Sequence, residues 1–448
     1  MTRWSLGCLA LLATALFSVH AVLASSLYAE EHMPIFLGTS VEVAIYAMAV
    51  FVSLRDRGQD ADASRRALIF ILGVAAVLRL MLLFADPVST DINRYVWDGR
   101  VQAAGINPYE YIPADPHLAF LRDDEIYPEI NRAEYAPTIY PPLAQIVFFL
   151  VTRVSESLTA MKAAMVGFEM VAIWAILGLL RSRRIPATRV LLYAWHPLPI
   201  WEFSGSGHVD AIAVACVMLS LLAADRRHPI LAGIALGGAA LVKFFPVVVG
   251  PALYRRWDWR LPLAGAATIA LLYLPYISAG KKIFGFLGGY SDEEGLRDGS
   301  GLYLWVLLRH VVEIPQWAFA LYMPVAALAL GAVGLIVLLA RKTSGISDGA
   351  DIAGAFLIVG TYTVLTSPHF AWYFAWLIPF LCFVPSWPVL YLTGSSTLLY
   401  VAGWPPSFAG ASIFYGPFFV FLAIDLALRA LTFKDKRHGH PVAAPTIG

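Results

Sequence analysis

Apolar runs close to twenty residues long recur along the whole chain, and each has the length an α-helix needs to cross a bilayer. In lipid every backbone N–H and C=O must be satisfied within the segment, so a chain of this kind folds as a membrane-spanning helical bundle. Composition agrees: 59% of the 448 residues are hydrophobic and 14% are charged, against about 25% charged in soluble domains. A formal net charge of +1 gives nucleic acid no broad field to bind. Cys8, Cys216 and Cys382 all fall in apolar segments, with neither a zinc spacing nor a disulfide framework, and read as small buried side chains.

Thr2–Ala24 carries Arg3 and then an apolar run, the outline of a secretory signal peptide. The run is long and a second apolar helix follows at once, which favours a retained first helix. Crossings are expected at about 4–27, 34–54 and 67–85. Between the last two, RDRGQDADASRR (55–66) holds four arginines, and short basic loops stay on the cytoplasmic side. RSRRIPATR (181–189), DRRH (225–228), YRRWDWR (254–260) and the tail KDKRHGH (434–440) are assigned to that side too. The charge rule then requires the run at 139–154, broken by Pro141 and Pro142, to dip in without crossing. It also requires Ile230–Leu253 to form a re-entrant hairpin turning near Lys243–Pro246. Further runs at 160–180, 190–204, 208–224, 261–279, 317–340, 350–366, 370–384, 386–403 and 413–431 bring the expected total to about twelve crossings, with both termini cytoplasmic. The expected fold is thus an all-α polytopic membrane protein without internal repeat or soluble domain.

The exception to this apolar pattern is Asp86–Pro142, a polar run crowded with acids, arginines, tyrosines and prolines. On the expected topology it is a large first outer loop. Ile92, Val96 and Ala103 fall near one face at helical spacing, while Arg94, Asp98 and Arg100 lie elsewhere on the turn, so an amphipathic helix along the membrane surface is expected. Asp91 stands at its start. It reads either as the N-cap of that helix or as a general base facing a cavity, since a carboxylate within reach of a hydroxyl can take its proton. Arg94 and Arg100 are available to an anionic substrate; Asp98 is a weaker acid candidate that could pair with an arginine.

Ionisable groups in apolar helices are costly and face a cavity or a partner. Glu202, His208, Asp210, Lys243 and His369 are of this kind, with Tyr373 one turn beyond His369. The expected topology gathers them near the outer leaflet, level with the first loop. There they read either as a phosphate site in which Lys243 is the charge partner or as interhelical pairs such as Lys243 with Asp210. Lys281, Lys282 and Arg297 of the second outer loop (280–301) are candidates for phosphate or lipid headgroups, and Trp372, Tyr373, Trp376 and Trp387 for an aromatic belt.

In order, WDGRVQAAGINPY (97–109), TIYPPLAQ (138–145), GSGHVDAIAV (205–214), AGIALGGAALVKFFPVV (232–248) and SPHFAWYFAWLIPF (367–380) follow an acidic site at the end of a helix. This arrangement resembles membrane-integral GT-C glycosyltransferases, in particular bacterial polyprenyl-phosphate-sugar enzymes. It is also similar to the mannosyltransferase that adds the first mannose of glycosylphosphatidylinositol anchors. The resemblance spans about 67–385, which divides the chain into two N-terminal helices (1–66), a catalytic module (67–385) and C-terminal helices with a tail (386–448). The two N-terminal helices are extra relative to the shortest family members.

The resemblance implies a polyprenyl-phosphate-linked hexose donor, with mannose the candidate sugar, bound from the outer leaflet of a bacterial inner (plasma) membrane. A lipid or glycan acceptor of the cell envelope would lose its proton to a loop carboxylate, and the sugar would transfer with inversion on the periplasmic face. Asp91 matches the family's acidic motif; His208, Asp210, Lys243, His369 and Tyr373 match its later motifs. Lys243 and His369 are assigned to the donor phosphate. Ser89 stands where the first of two paired acids would be, so the motif gives a divalent metal no support and leaves Asp91 as a single base. No nucleotide or other cofactor is implied, and oligomeric state is open.

Two other classes share the expected architecture: a secondary transporter or flippase of lipid-linked sugars, and a noncatalytic subunit for assembling envelope glycans. Transporters usually show repeats and keep their polar site at the midplane. Here the polar residues gather in one long loop, and long loops in compact proteins are usually functional.

Overall fold

Among the described residues of the computed structural model, seven helices are long and apolar enough to cross a membrane: Arg3–Ser25, Leu37–Arg55, Ala61–Leu83, Leu158–Ser182, Arg260–Phe284, Gln316–Ala340 and Phe408–Leu431. The structure describes residues 1–26, 33–56, 58, 60–255, 257–343, 350–401 and 406–437, and among these every regular element is helical. Arg57, Arg256 and residues 438–440 of the basic segments lie outside the described residues. Pro142–Thr152, Pro229–Ala240, Tyr303–Val312, Ile352–Thr366 and Ala371–Leu381 are shorter apolar helices. Tyr303–Val312 was not expected at all.

Proline explains why one expected crossing is interrupted. The run at 190–204 becomes short helices at Leu191–Ala194 and Pro197–Pro199 and a π-turn at Ile200–Gly205. Pro197 and Pro199 remove two backbone donors there, which prevents one continuous helix. Ile230–Leu253, expected as a re-entrant hairpin turning near Lys243–Pro246, ends its first helix at Ala240 and resumes at Phe245. The carbonyl of Leu241, left open by this break, accepts from the backbone N–H groups of Leu143 and Ala144 at 2.9 and 3.3 Å. Lys243 sits in the break.

We label the first six helices α1 (Arg3–Ser26), α2 (Met33–Arg55), α3 (Ala61–Leu83), α4 (Asp91–Ala103), α5 (Pro142–Thr152) and α6 (Leu158–Ser182). Charged groups within the spans, such as Glu42, Arg79 and Glu169, are buried and paired. Arg79 of α3 donates to Glu169 of α6 at 2.7 Å and to the carbonyl of Ala194 at 2.8 Å, and Ser204 donates to the second Glu169 oxygen. Apolar side chains such as Leu11, Ile69, Leu80 and Leu263 are exposed instead. That inside-out distribution suits a lipid surround. α1 and α2, for which the sequence offered no role, brace the segment at 191–205: His20 contacts Glu42 at 2.7 Å, Trp201 donates to Glu42 at 2.6 Å, and Tyr46 donates to the carbonyl of Leu192.

α4 corrects the expectation of a surface helix. Ile92, Asn93, Arg94, Tyr95, Val96, Trp97, Asp98, Gly99 and Val101 are all buried, because α5 and α6 cover one side of α4 and the loop at 116–130 covers another. Gly99 permits the closest approach: a Cβ there would sit 2.6 Å from the carbonyl oxygen of Phe148. Lys162 of α6 donates to the carbonyls of Leu82 and Ala85, tying down the end of α3 immediately before α4 begins.

Candidate active site

Asp91 is the first residue of α4, and Thr90 precedes it as N-cap. The Asp91 side chain caps nothing. Oδ1 accepts from the Asn131 amide at 2.7 Å, and Oδ2 lies 4.0 Å from His208 Nε2. Of the two readings of this residue, the N-cap is therefore the wrong one. The carboxylate opens onto a cavity of about 1300 Å³, larger than the roughly 300–1,000 Å³ of a typical small-molecule site.

Separate stretches of the chain supply the cavity wall. The 86–142 segment gives Ser89, Asp91, Arg94, Asn131, Arg132 and Tyr135; the break after Pro229–Ala240 gives Lys243; Leu287–Glu293 and its flank give Tyr290, Glu293 and Glu294; the loop after Ile352–Thr366 gives His369, and the helical turn Ala371–Leu377 that follows gives Trp372 and Tyr373. Another part of the wall is apolar, with Val242, Phe244, Leu302 and Met323.

Electrostatic pairs lock this wall. Lys243 lies 2.8 Å from Asp210 and 4.4 Å from the centre of the Tyr373 ring, and Trp376 donates to the other Asp210 oxygen. The expected pairing of Lys243 with Asp210 thus exists, and Lys243 still faces the cavity. Arg132 donates to Glu293 at 2.5 Å, Tyr290 and Tyr373 share a hydrogen bond of 2.9 Å, and Glu294 meets His369 Nε2 at 3.2 Å. Burial pushes the Glu294 carboxyl up to about 7 and His369 down to about 4, so both lean towards their neutral forms.

The sequence candidates fall into three groups. Asp91, Arg94, Lys243, His369 and Tyr373 line the cavity together. His208, Glu202 and Asp210 are buried behind it: His208 Nδ1 lies 2.9 Å from Glu202, which accepts from the cavity-lining Tyr400 at 3.0 Å, and Trp372 stacks over His208 at 4.1 Å. Asp98 and Arg100 are not cavity residues. Asp98 is consumed by Arg94, Thr138 and Gln145, and Arg100 by Asp123 and Glu156. Lys281, Lys282 and Arg297 do not line the cavity either; Lys282 donates to the carbonyl of Glu110 and Arg297 pairs with Asp292. Trp372 and Trp376 are buried rather than belt residues.

A family model described as alpha-(1->6)-mannopyranosyltransferase, N-terminal domain, matches residues 4–258, more than half of the chain. The chain belongs to this family. Comparison with curated proteins and with solved structures found no match. The protein is accordingly a membrane glycosyltransferase of a mannosyltransferase family, with a sugar donor and an acceptor as its substrates. The matched region takes in both N-terminal helices, Asp91 and Lys243, and ends before Glu294, His369 and Tyr373.

Within this mannosyltransferase, the residues that sequence reasoning missed are Asn131, Arg132, Tyr290, Glu293, Glu294 and Tyr400. The run DEE at 292–294 was a visible acidic signal in a loop valued only for its cations. Ser89 lines the cavity and accepts the Asp91 N–H at 3.3 Å, while further acids on the wall come from Glu293 and Glu294. Among the described residues no three His, Cys, Asp or Glu side chains are grouped to hold a metal ion.

Proposed function

We propose that the protein transfers a mannosyl residue from a polyprenyl-phosphate donor to a hydroxyl of a glycan or glycolipid acceptor, forming an α-(1→6) bond with inversion. What carries this reading is one juxtaposition. Asp91, braced by Asn131, shares a cavity with Lys243 and Arg132, the wall cations with the most exposed side chains.

In the proposed step Asp91 takes the proton of the acceptor hydroxyl as its oxygen attacks the anomeric carbon. The bond from that carbon to the phosphate oxygen breaks, and polyprenyl phosphate leaves with the bonding pair. Lys243 and Arg132 balance the charge developing on the phosphate; fixed donors at developing charge are worth most in a site closed to water. Inversion to an α product requires a β-linked donor. The isoprenoid tail takes the apolar wall of Val242, Phe244, Leu302 and Met323. The basic loops lie at the far ends of α3 and α6 from this cavity, which supports an extracytoplasmic site by the charge rule. A bacterial plasma membrane and its envelope glycans are the setting in which such a donor and acceptor meet.

The test is transfer itself. Membranes carrying the protein receive labelled polyprenyl-phosphate β-mannose and an α-(1→6)-mannoside acceptor. Labelled product with a new α-(1→6) bond supports the reading; movement of the donor between leaflets without product contradicts it.

A further inference from the structure

The carboxylate of Asp91 is backed on its buried side by a chain of side chains that the transfer step leaves unused. His208 Nε2 lies 4.0 Å from Asp91 Oδ2, and His208 Nδ1 lies 2.9 Å from Glu202, which accepts from the Tyr400 hydroxyl at 3.0 and 3.1 Å. The local backbone builds this arrangement. The His208 N–H donates to the Glu202 carbonyl at 2.9 Å, folding the chain back over the π-turn at Ile200–Gly205. Such turns are frequent at functional sites. Gly207 has φ +73°, and a Cβ there would sit 2.5 Å from the Ile92 side chain. Glycine at this point therefore lets His208 come up against the first turn of α4, where Asp91 stands. The His208 side chain is 1% exposed and lies behind the cavity wall, covered by the Trp372 ring at 4.1 Å.

We propose that His208, carrying a proton on each ring nitrogen, is the positioning residue that keeps Asp91 ionised for the acceptor hydroxyl. The inference deepens the transferase reading above and rests on Asp91 being its base. A carboxylate oxygen faces each nitrogen of the ring, and only the imidazolium offers a donor to both. Trp372 stacks on the same ring, and an indole face attracts a cation. Asp91 needs such a partner because its surroundings are acidic. Glu294 and the phenol groups of Tyr95, Tyr140 and Tyr400 face it, and Asp210 faces His208. The other cations that face Asp91 are Lys243 and Arg132. They are held by Asp210 and Glu293, and the reading above gives both to the donor phosphate. His208 lies behind the wall, out of that phosphate's reach, so its charge stays with Asp91 when the donor binds.

The test uses the full chain in nanodiscs and reads kcat/KM against pH, together with nitrogen NMR of isotope-labelled histidines. An opposite charge about 4–6 Å away moves a carboxyl by about 1–3 pH units. Loss of the imidazolium in His208→Gln or in Glu202→Gln is therefore expected to move the acid limb of the profile to higher pH. The loss of kcat/KM should be about tenfold or more greater on that limb than on the plateau. An equal loss at every pH in both variants means a merely structural role and overturns the proposal. Should neither variant fold, the wild type decides. The histidine signal that responds to Asp91→Asn should be that of an imidazolium at neutral pH; a neutral ring, or no responding signal, overturns the proposal. The same data keep two failures apart. A charged His208 with wild-type transfer by Asp91→Asn overturns the base reading, and the role of His208 with it. A neutral His208 beside an inactive Asp91→Asn overturns this proposal alone.

Discussion

Asn131 donates its side-chain amide to Oδ1 of Asp91 across 2.7 Å, although the two residues are 40 positions apart. The bond fixes one carboxylate oxygen and leaves the other, Oδ2, directed towards His208 and the cavity. Asn131 is thus a positioning residue for the proposed base. Asn131→Ala is expected to lower kcat roughly 10-fold, the scale of a lost orienting hydrogen bond of about 1.4 kcal/mol, while KM for the donor stays near its wild-type value. Steady-state kinetics with separate variation of donor and acceptor checks this.

Lys243 separates pairing from phosphate binding. Its partner Asp210 is fully buried, so Lys243→Met leaves a carboxylate without its charge partner. Breaking a buried pair in this way typically costs about 3–5 kcal/mol. Lys243→Met combined with Asp210→Asn is expected to recover most of the lost thermal stability, because no lone charge remains buried. Donor binding should stay impaired in both variants. Recovery of donor affinity in the double variant would leave Lys243 with only a structural role.

The sequence carried the membrane class, the first two helices to within one residue at each end, and the convergence of Asp91, Lys243, His369 and Tyr373 on one cavity. Those residues announced themselves as charged or polar groups at the ends of apolar runs, where burial is costly without a purpose. Asp98 and Arg100 looked equivalent to Asp91 because periodicity cannot show which partners lie around a helix. Here Thr138, Gln145, Asp123 and Glu156 absorb them. The DEE run at 292–294 is visible in the sequence, but the burial of Glu294 is not, because a loop acid looks solvated until distant segments fold over it.

Glu294 gives the site a pH dependence. Its carboxyl is raised to about 7 by burial, with Asp91 adding to the rise and Arg132, Lys243 and Tyr290 opposing it; Glu293 and His369 stand beside it. Below 7 the group is neutral, and above 7 it places a negative charge where the donor phosphate is proposed to bind. KM for the donor should rise between pH 6 and 8 in the wild type, and this rise should flatten in Glu294→Gln. Stability follows the same sign. An acid raised in the folded state contributes stability that is complete below its ordinary value of 4.5 and lost as pH rises through about 7. The Tm of Glu294→Gln relative to wild type should therefore increase across that window.

Arg132 ties the 86–142 segment to the helix Leu287–Glu293 through Glu293 and carries positive φ. Arg132→Gly relieves the backbone but removes the cation, whereas Arg132→Lys keeps charge without the planar fork that meets a carboxylate or phosphate in two places. If charge at this point serves the donor, the lysine variant should retain more activity than the glycine variant, with the difference in donor KM. Equal loss in both would mean that only the contact with Glu293 matters.

The most direct measurement is mannosyl transfer by Asp91→Asn, made alongside donor binding and thermal stability of the same preparation. Asparagine keeps the size and can still meet Asn131 once its amide is oriented, but it cannot accept a proton. Transfer should fall by roughly 10²–10⁴, the range for loss of a general base, with donor binding and Tm close to wild type. Transfer at the wild-type rate in a folded, donor-binding Asp91→Asn protein would contradict the account.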